Sequence, residues 1–222
     1  MNINERDLPK TKSRLGEIDS VIFDLDGTFW DPTEMCITAW QNTAREMKGT
    51  VREVTREKIQ SIFGVQHNLI AKQLFPDCTD DEAEEFIQKC FCEEVRTVKE
   101  SGAELYDDVE AVISALSKKY PLFIVSNCQG GYIEAFLEYY CYGKYFTDFE
   151  CSGNTMQSKA ENIRSVIERN GLKAPIYVGD TKGDFESARA NNIPFVHAAY
   201  GFGCVEEADY RIDRITGLLE LL

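Results

Sequence analysis

Asp24 and Asp26 stand one residue apart in "SVIFDLDGTFW", at the end of an apolar run and just before Gly27. In a strand, alternate side chains share a face, so both carboxylates project to one side with Leu25 on the other. Three further groups occupy comparable places: Ser126 and Asn127 after "PLFIV", Asp180 and Asp184 in "GDTKGD" after "APIYV", and Lys159 at the start of a helical pattern. A carboxylate can serve as nucleophile, as general acid or base, or as ligand to a hard cation. Several carboxylates brought to one point repel each other unless a cation sits among them. Asp24, Asp26, Asp180 and Asp184 offer only oxygen, which suits Mg²⁺, an ion that takes one or two carboxylates plus water and substrate phosphate. No imidazole or thiolate falls at these positions, which disfavours softer metals.

These residues need elements to bring them together. "VIFDLDG" (21–27), "PLFIVSN" (121–127), "APIYVGD" (174–180) and "IPFVHAAYG" (193–201) read as buried parallel strands, with "TDFECSG" (147–153) as a weaker fifth. Helical patterns fall between them at 107–120, 132–146, 158–172 and 184–192. Gly171 stands where a C-cap glycine belongs, and Pro175 follows it. The alternation predicts an α/β fold with a doubly wound, Rossmann-like parallel sheet. Ligands of such sheets bind outside the carboxyl ends of the strands, where all four polar groups fall. Residues 32–105 break the pattern with helix-like segments and no convincing strand. They predict an inserted all-helical cap domain, the core being 1–31 and 106–222. The tail 208–222 suggests a short edge strand and a closing helix.

Composition narrows the partners. The 222 residues carry 24 basic and 38 acidic side chains, a formal charge of −14. That balance argues against a nucleic-acid backbone as partner. Residues 77–110 hold thirteen acids against Lys89, Arg96 and Lys99, and read as a solvated helical face. Such a surface repels anions, so an anion site needs local reinforcement, which a bound metal supplies. The eight cysteines are scattered without a CxxC pair and read as reduced and mostly structural. No apolar run is long enough to span a bilayer, and the polar first residues lack a signal-peptide core, so no membrane partner and a cytoplasmic location are expected. A monomer and a homodimer both remain open.

"DLDGT" on an apolar strand, "SN" after a second, a downstream lysine and "GDTKGD", in that order, resemble the four motifs of the haloacid dehalogenase superfamily. The resemblance runs from about residue 19 to 222 and is closest to the branch of phosphoglycolate phosphatases and β-phosphoglucomutases. It implies a Mg²⁺-dependent phosphatase acting on a small phosphorylated metabolite, with Asp24 forming an aspartyl-phosphate. Asp26 would protonate the leaving alcohol and then activate water. Ser126 and Asn127 would hold phosphate oxygens, and Lys159 would pair with nucleophile and phosphate. Asp24, the Asp26 backbone carbonyl and Asp180 would ligate the metal, and Asp184 would ligate it directly or through water; Asp184 could equally cap the helix after it. The superfamily's dehalogenases lack the second aspartate, so Asp26 points to phosphoryl transfer. A phosphomutase is the nearest rival, although Thr28 leans towards hydrolysis, and a binding module of the same fold is a further one. By the same resemblance the cap turn around Gly64–Asn68 faces the site, which makes Gln66 and His67 candidate substrate contacts. "TFWDP" departs from the commoner continuation, with Trp30 beside the entrance to Asp24.

Overall fold

The computed structural model describes residues 16–46, 54–65, 69–70 and 79–222. Strand β1 (Ser20–Phe23) comes first, and after a tight turn β2 (Trp30–Asp31) leads into helices α1 (Thr33–Glu46), α2 (Arg56–Gln60) and α3 (Asp80–Ser101). Strand β3 (Glu104–Leu105) then returns antiparallel to β2, pairing Leu105 with Trp30 and Glu104 with Asp31. The chain continues as α4 (Val109–Leu116), β4 (Leu122–Ser126), α5 (Tyr132–Tyr139), β5 (Phe146–Cys151), α6 (Ser152–Thr155) and α7 (Lys159–Asn170). It closes with β6 (Pro175–Gly179), α8 (Lys182–Ala190), β7 (Phe195–Ala198), β8 (Tyr210–Ile212) and α9 (Leu218–Leu221).

Six strands form one parallel sheet in the order β5-β4-β1-β6-β7-β8. The four inner strands, β4, β1, β6 and β7, are buried on both faces, and alternate residues serve different faces. Val21, Phe23, Leu122, Ile124, Ile176 and Val178 join the core that takes in α4 and α5. Ile22, Phe123, Val125, Tyr177 and Phe195 join the core under α7 and α8. This is the α/β, Rossmann-like sheet that the strand-helix alternation predicts. Phe136 illustrates what the packing contributes: fully buried and in contact with the rings of Phe29, Trp30, Tyr140 and Tyr142, its truncation to alanine should cost about 3–5 kcal/mol.

Four local expectations need correction. The helical pattern over 132–146 ends as a helix at Tyr139; Cys141 takes a left-handed φ of 57° and Gly143–Tyr145 form a 3₁₀ turn, so the chain can reverse into β5. That strand, expected to be weak, has six residues. Residues 32–105 do contain a strand, β3, whose two residues are too few to leave a periodic signal. Helix α8 starts at Lys182 instead of Asp184, because Thr181 is its N-cap and Asp184 lies at N3 of the capping box. Among the described residues no helix is long and apolar enough to cross a membrane, and seven cysteines are free thiols, of which Cys36, Cys90, Cys128 and Cys151 are buried.

Candidate active site

Strand β1 lies in the middle of the sheet between β4 and β6. Their carboxyl ends therefore bring Asp24, Ser126 and Asp180 to one place, all buried. Ser158 caps α7 in a reciprocal box with Glu161, which fixes Lys159 at the first helical position. From there its Nζ donates to Asp24 Oδ1 at 2.9 Å and to Asp184 Oδ1 at 2.6 Å, with all three side chains almost fully removed from water. Burial alone would push the lysine down, but the two aspartates outweigh it and hold it well above the usual range. A buried ammonium is stable here because its charge is doubly paired.

Asp24, Asp180 and Asp184 each offer an oxygen within 4.8 Å of the others. The arrangement is short of positive charge. Burial first, and then the charge of Asp184, raise Asp24 in spite of Lys159. Burial, Asp184 and Asp24 raise Asp180. Asp180 Oδ2 accepts the Phe202 N–H at 2.6 Å, while its Oδ1 is buried with no hydrogen-bond partner. An orphaned carboxylate oxygen facing two other carboxylates is the donor set a hard divalent cation requires. The turn after β1 approaches this cluster so closely that only glycine fits: Gly27 has φ +77°, and a Cβ there would lie 2.2 Å from Asp180 Oδ2.

Asp26 is half-buried and stands apart from the cluster of three. Its Oδ1 accepts the Trp30 indole N–H at 2.7 Å and lies 3.3 Å from the Tyr132 hydroxyl. Burial, followed by the charge of Asp24, pushes its carboxyl up to about 7. One aspartate is thus oriented by a cation and the next by neutral donors, so two adjacent carboxyls have environments suited to different work.

Other polar side chains near the site have partners within the protein. The Asn127 side chain has other partners: its Nδ2 donates to Gly64 O at 2.9 Å and its Oδ1 accepts from Ser152 at 2.8 Å. Asp184 is fully engaged, since its Oδ2 accepts both the N–H and the hydroxyl of Thr181, at 2.9 and 2.7 Å. The Tyr177 hydroxyl, donating to Val125 O at 2.8 Å, lies 3.3 Å from Asp184 Oδ1. Lys182 points to solvent beside Glu186. Trp30 is fully buried and shapes no entrance. Gln66 and His67 lie outside the described residues. Among the described residues of the acidic run, Glu94 is the exception to its solvated reading: it is 5% exposed and lines the cleft above Asp24. The helix period shows why, because Ala83, Phe86, Ile87, Cys90, Phe91 and Val98 form the buried stripe of α3, and Glu94 falls within it. That misplaced charge was the available signal; Tyr132 and Tyr177 gave none.

Fold and site together define a hydrolase of known descent. Residues 21–198 match the family described as haloacid dehalogenase-like hydrolase, and the chain belongs to that family. It is 28% identical to a phosphoglycolate phosphatase of Escherichia coli O157:H7, over 89% of this chain and 87% of the relative. Identity to the phosphoglycolate phosphatase of Salmonella typhi is 26%, over 95% and 94%. Among solved structures, a haloacid dehalogenase-like family hydrolase from Streptococcus pneumoniae superposes with a TM-score of 0.78 at 22% identity, covering 91% of this chain and 97% of that one.

Proposed function

We propose that this hydrolase is a Mg²⁺-dependent, cytoplasmic phosphatase acting on a small phosphate monoester through an aspartyl-phosphate on Asp24. The observation that carries the reading is the single buried lysine held by Asp24 and Asp184, beside the unpartnered Asp180 oxygen. The phosphatases among the relatives support the reaction class.

Lys159 fixes the rotation of the Asp24 carboxylate and sits where it can also meet a phosphate oxygen. The carboxylate attacks phosphorus, forming one P–O bond while the bond to the alcohol breaks. Asp26, favoured in its protonated form by burial, gives its proton to the departing alkoxide. It then takes a proton from the water that attacks the phosphoryl group, which restores Asp24 and releases phosphate. Trp30 and Tyr132 hold the Asp26 carboxyl for both transfers. The Ser126 hydroxyl supplies a further donor at the end of β4. Mg²⁺, held by Asp24, the Asp26 backbone carbonyl and Asp180, would neutralise charge on the transferring oxygens.

Residues 32–105 act in this reading as a cap over the 1–31 and 106–222 core. The support is a set of contacts across the cleft: Gly64 O accepts from Asn127, and the Phe63 ring stacks on Phe202 with centroids 4.6 Å apart. Closing the cleft would keep bulk solvent out while the phosphoryl group moves to Asp24, which strengthens the pull of Lys159 on it. The test is phosphate release from a panel of monoesters with Mg²⁺ and with chelator. Turnover that depends on Mg²⁺ is expected. Isomerised sugar phosphate without free phosphate would establish the mutase instead.

A further inference from the structure

The cleft beyond the phosphate end has a cavity volume of about 50 Å³, with the apolar Ile62, Val65, Ile70 and Phe91 in its walls. One buried acid interrupts it. Glu94 Oε1 accepts the Trp40 indole N–H at 2.5 Å, and Oε2 accepts the Gln129 amide at 2.6 Å. Cys36, Tyr132 and Glu94 all line this cleft, and the Tyr132 hydroxyl lies 3.3 Å from Asp26 Oδ1. Glu94 therefore shares the cleft wall with Tyr132, which reaches the proposed acid that serves the leaving oxygen, on the side of the cleft where the alcohol must lie. Trp40 and Gln129 meet one position on each oxygen, which leaves acceptor positions of Glu94 to be met from the cleft.

Resting on the phosphatase reading, we propose that Glu94 is a specificity residue that accepts a hydrogen bond from the alcohol half of the substrate. The structure thereby selects monoesters whose alcohol carries a hydroxyl or an ammonium group over those carrying a carboxylate. A buried acceptor left unmet is costly, so a donor on the alcohol is favoured. A second carboxylate is repelled by the charged form of Glu94, the form that the Trp40 and Gln129 donors favour. The preference thus runs against phosphoglycolate, the ester for which the relatives are named. Specificity of this kind comes as much from the repulsive element as from the attractive one.

Binding separates this inference from the catalytic one. An Asp24→Asn chain would be titrated calorimetrically with glycerol 3-phosphate, phosphoethanolamine and 2-phosphoglycolate, then again with Glu94→Gln added. Either of the first two should bind at least about tenfold more tightly than phosphoglycolate, and the ratio should shrink by a similar factor once the charge is gone. The comparison between glycerol phosphate and phosphoethanolamine tells hydroxyl from ammonium. Preference for phosphoglycolate, or a ratio unchanged by Glu94→Gln, overturns the assignment even where the wild type hydrolyses every ester with Mg²⁺. Should Glu94→Gln fail to fold, the ranking by Asp24→Asn alone decides. Absence of turnover in the wild type overturns the phosphatase reading, and the binding ratio still decides on Glu94.

Discussion

Two acidic regions of this molecule contrast sharply. On the outer face of α3, Glu84, Glu85 and Glu100 stand in water, and nearby pairs such as Lys89–Glu85 at 2.7 Å and Arg96–Glu100 at 2.7 Å join exposed side chains. At the strand ends, Asp24, Asp180 and Asp184 are buried around one lysine. Exposed pairs of the first kind contribute about 0–1 kcal/mol each, because water screens them and two long side chains must be ordered. In the second region each charge has lost its hydration and depends on its partner, so removal of one member is severe. Residue type is the same in both; burial decides which acids carry chemistry. Glu94 makes the point within a single helix, since it shares α3 with the solvated acids and faces the other way.

The contrast can be broken or sharpened by four substitutions. The largest effect is expected from Asp26→Asn, which keeps the shape but removes the proton that the leaving group needs. Steady-state kinetics should show kcat lower by about 10²–10⁴ with KM little changed, and a fall of less than tenfold would dismiss Asp26 as the acid. Next comes Lys159→Met, which leaves Asp24 and Asp184 buried without their cation. Denaturant unfolding in chelator should show a loss of about 3–5 kcal/mol, and a loss below 1 kcal/mol would place these carboxylates with the exposed ones.

Trp30→Phe keeps most of the packing but deletes the N–H that Asp26 Oδ1 accepts at 2.7 Å. A stability loss of about 1–2 kcal/mol is expected, with kcat reduced more than the melting behaviour alone explains. The smallest effect is at Arg169, whose half-exposed guanidinium meets Asp148 and Glu150 at 2.6 Å each. Burial by itself would raise Asp148, but hydrogen bonds from Arg169 and Asn170 hold its carboxyl below the usual value of 3.8. A depressed carboxylate stabilises the fold above the unfolded value, and that contribution disappears as pH falls through the folded one. Arg169→Ala should therefore cost no more than about 1 kcal/mol at neutral pH, and the cost should fall away as pH drops through and below the usual carboxylate value of 3.8. A cost that persists in acid would make the role of Arg169 one of packing.

Much of this was legible in the sequence because the chemistry is concentrated at strand ends. An apolar run closing on "DLDG" or "VGD" declares both a buried strand and the polar group at its tip, so Asp24, Asp180 and Ser126 were placed without coordinates. Lys159 was readable through its helix start, where Ser158 and Glu161 form the cap. What escaped depends on contacts between distant elements. Trp30 is four residues from Asp26, yet nothing local shows its N–H turning back onto that carboxyl. Tyr132 meets Asp26 across 106 residues of chain, and Gln129 meets Glu94 across 35. The bond from the Asn127 amide to Gly64, 63 residues away in the helical segment, was equally hidden. Charge counting also concealed Glu94 among thirteen acids until the helix period separated the buried face from the wet one.

The most direct test of the account is a single turnover with a phosphoryl-labelled monoester and Mg²⁺, quenched in acid, on the wild type beside Asp24→Asn. The account predicts label retained on the wild-type peptide that carries Asp24, and neither label nor phosphate release from the variant. Phosphate released by Asp24→Asn at the wild-type rate would contradict it, because the buried, lysine-held carboxylate would then not be the group that attacks.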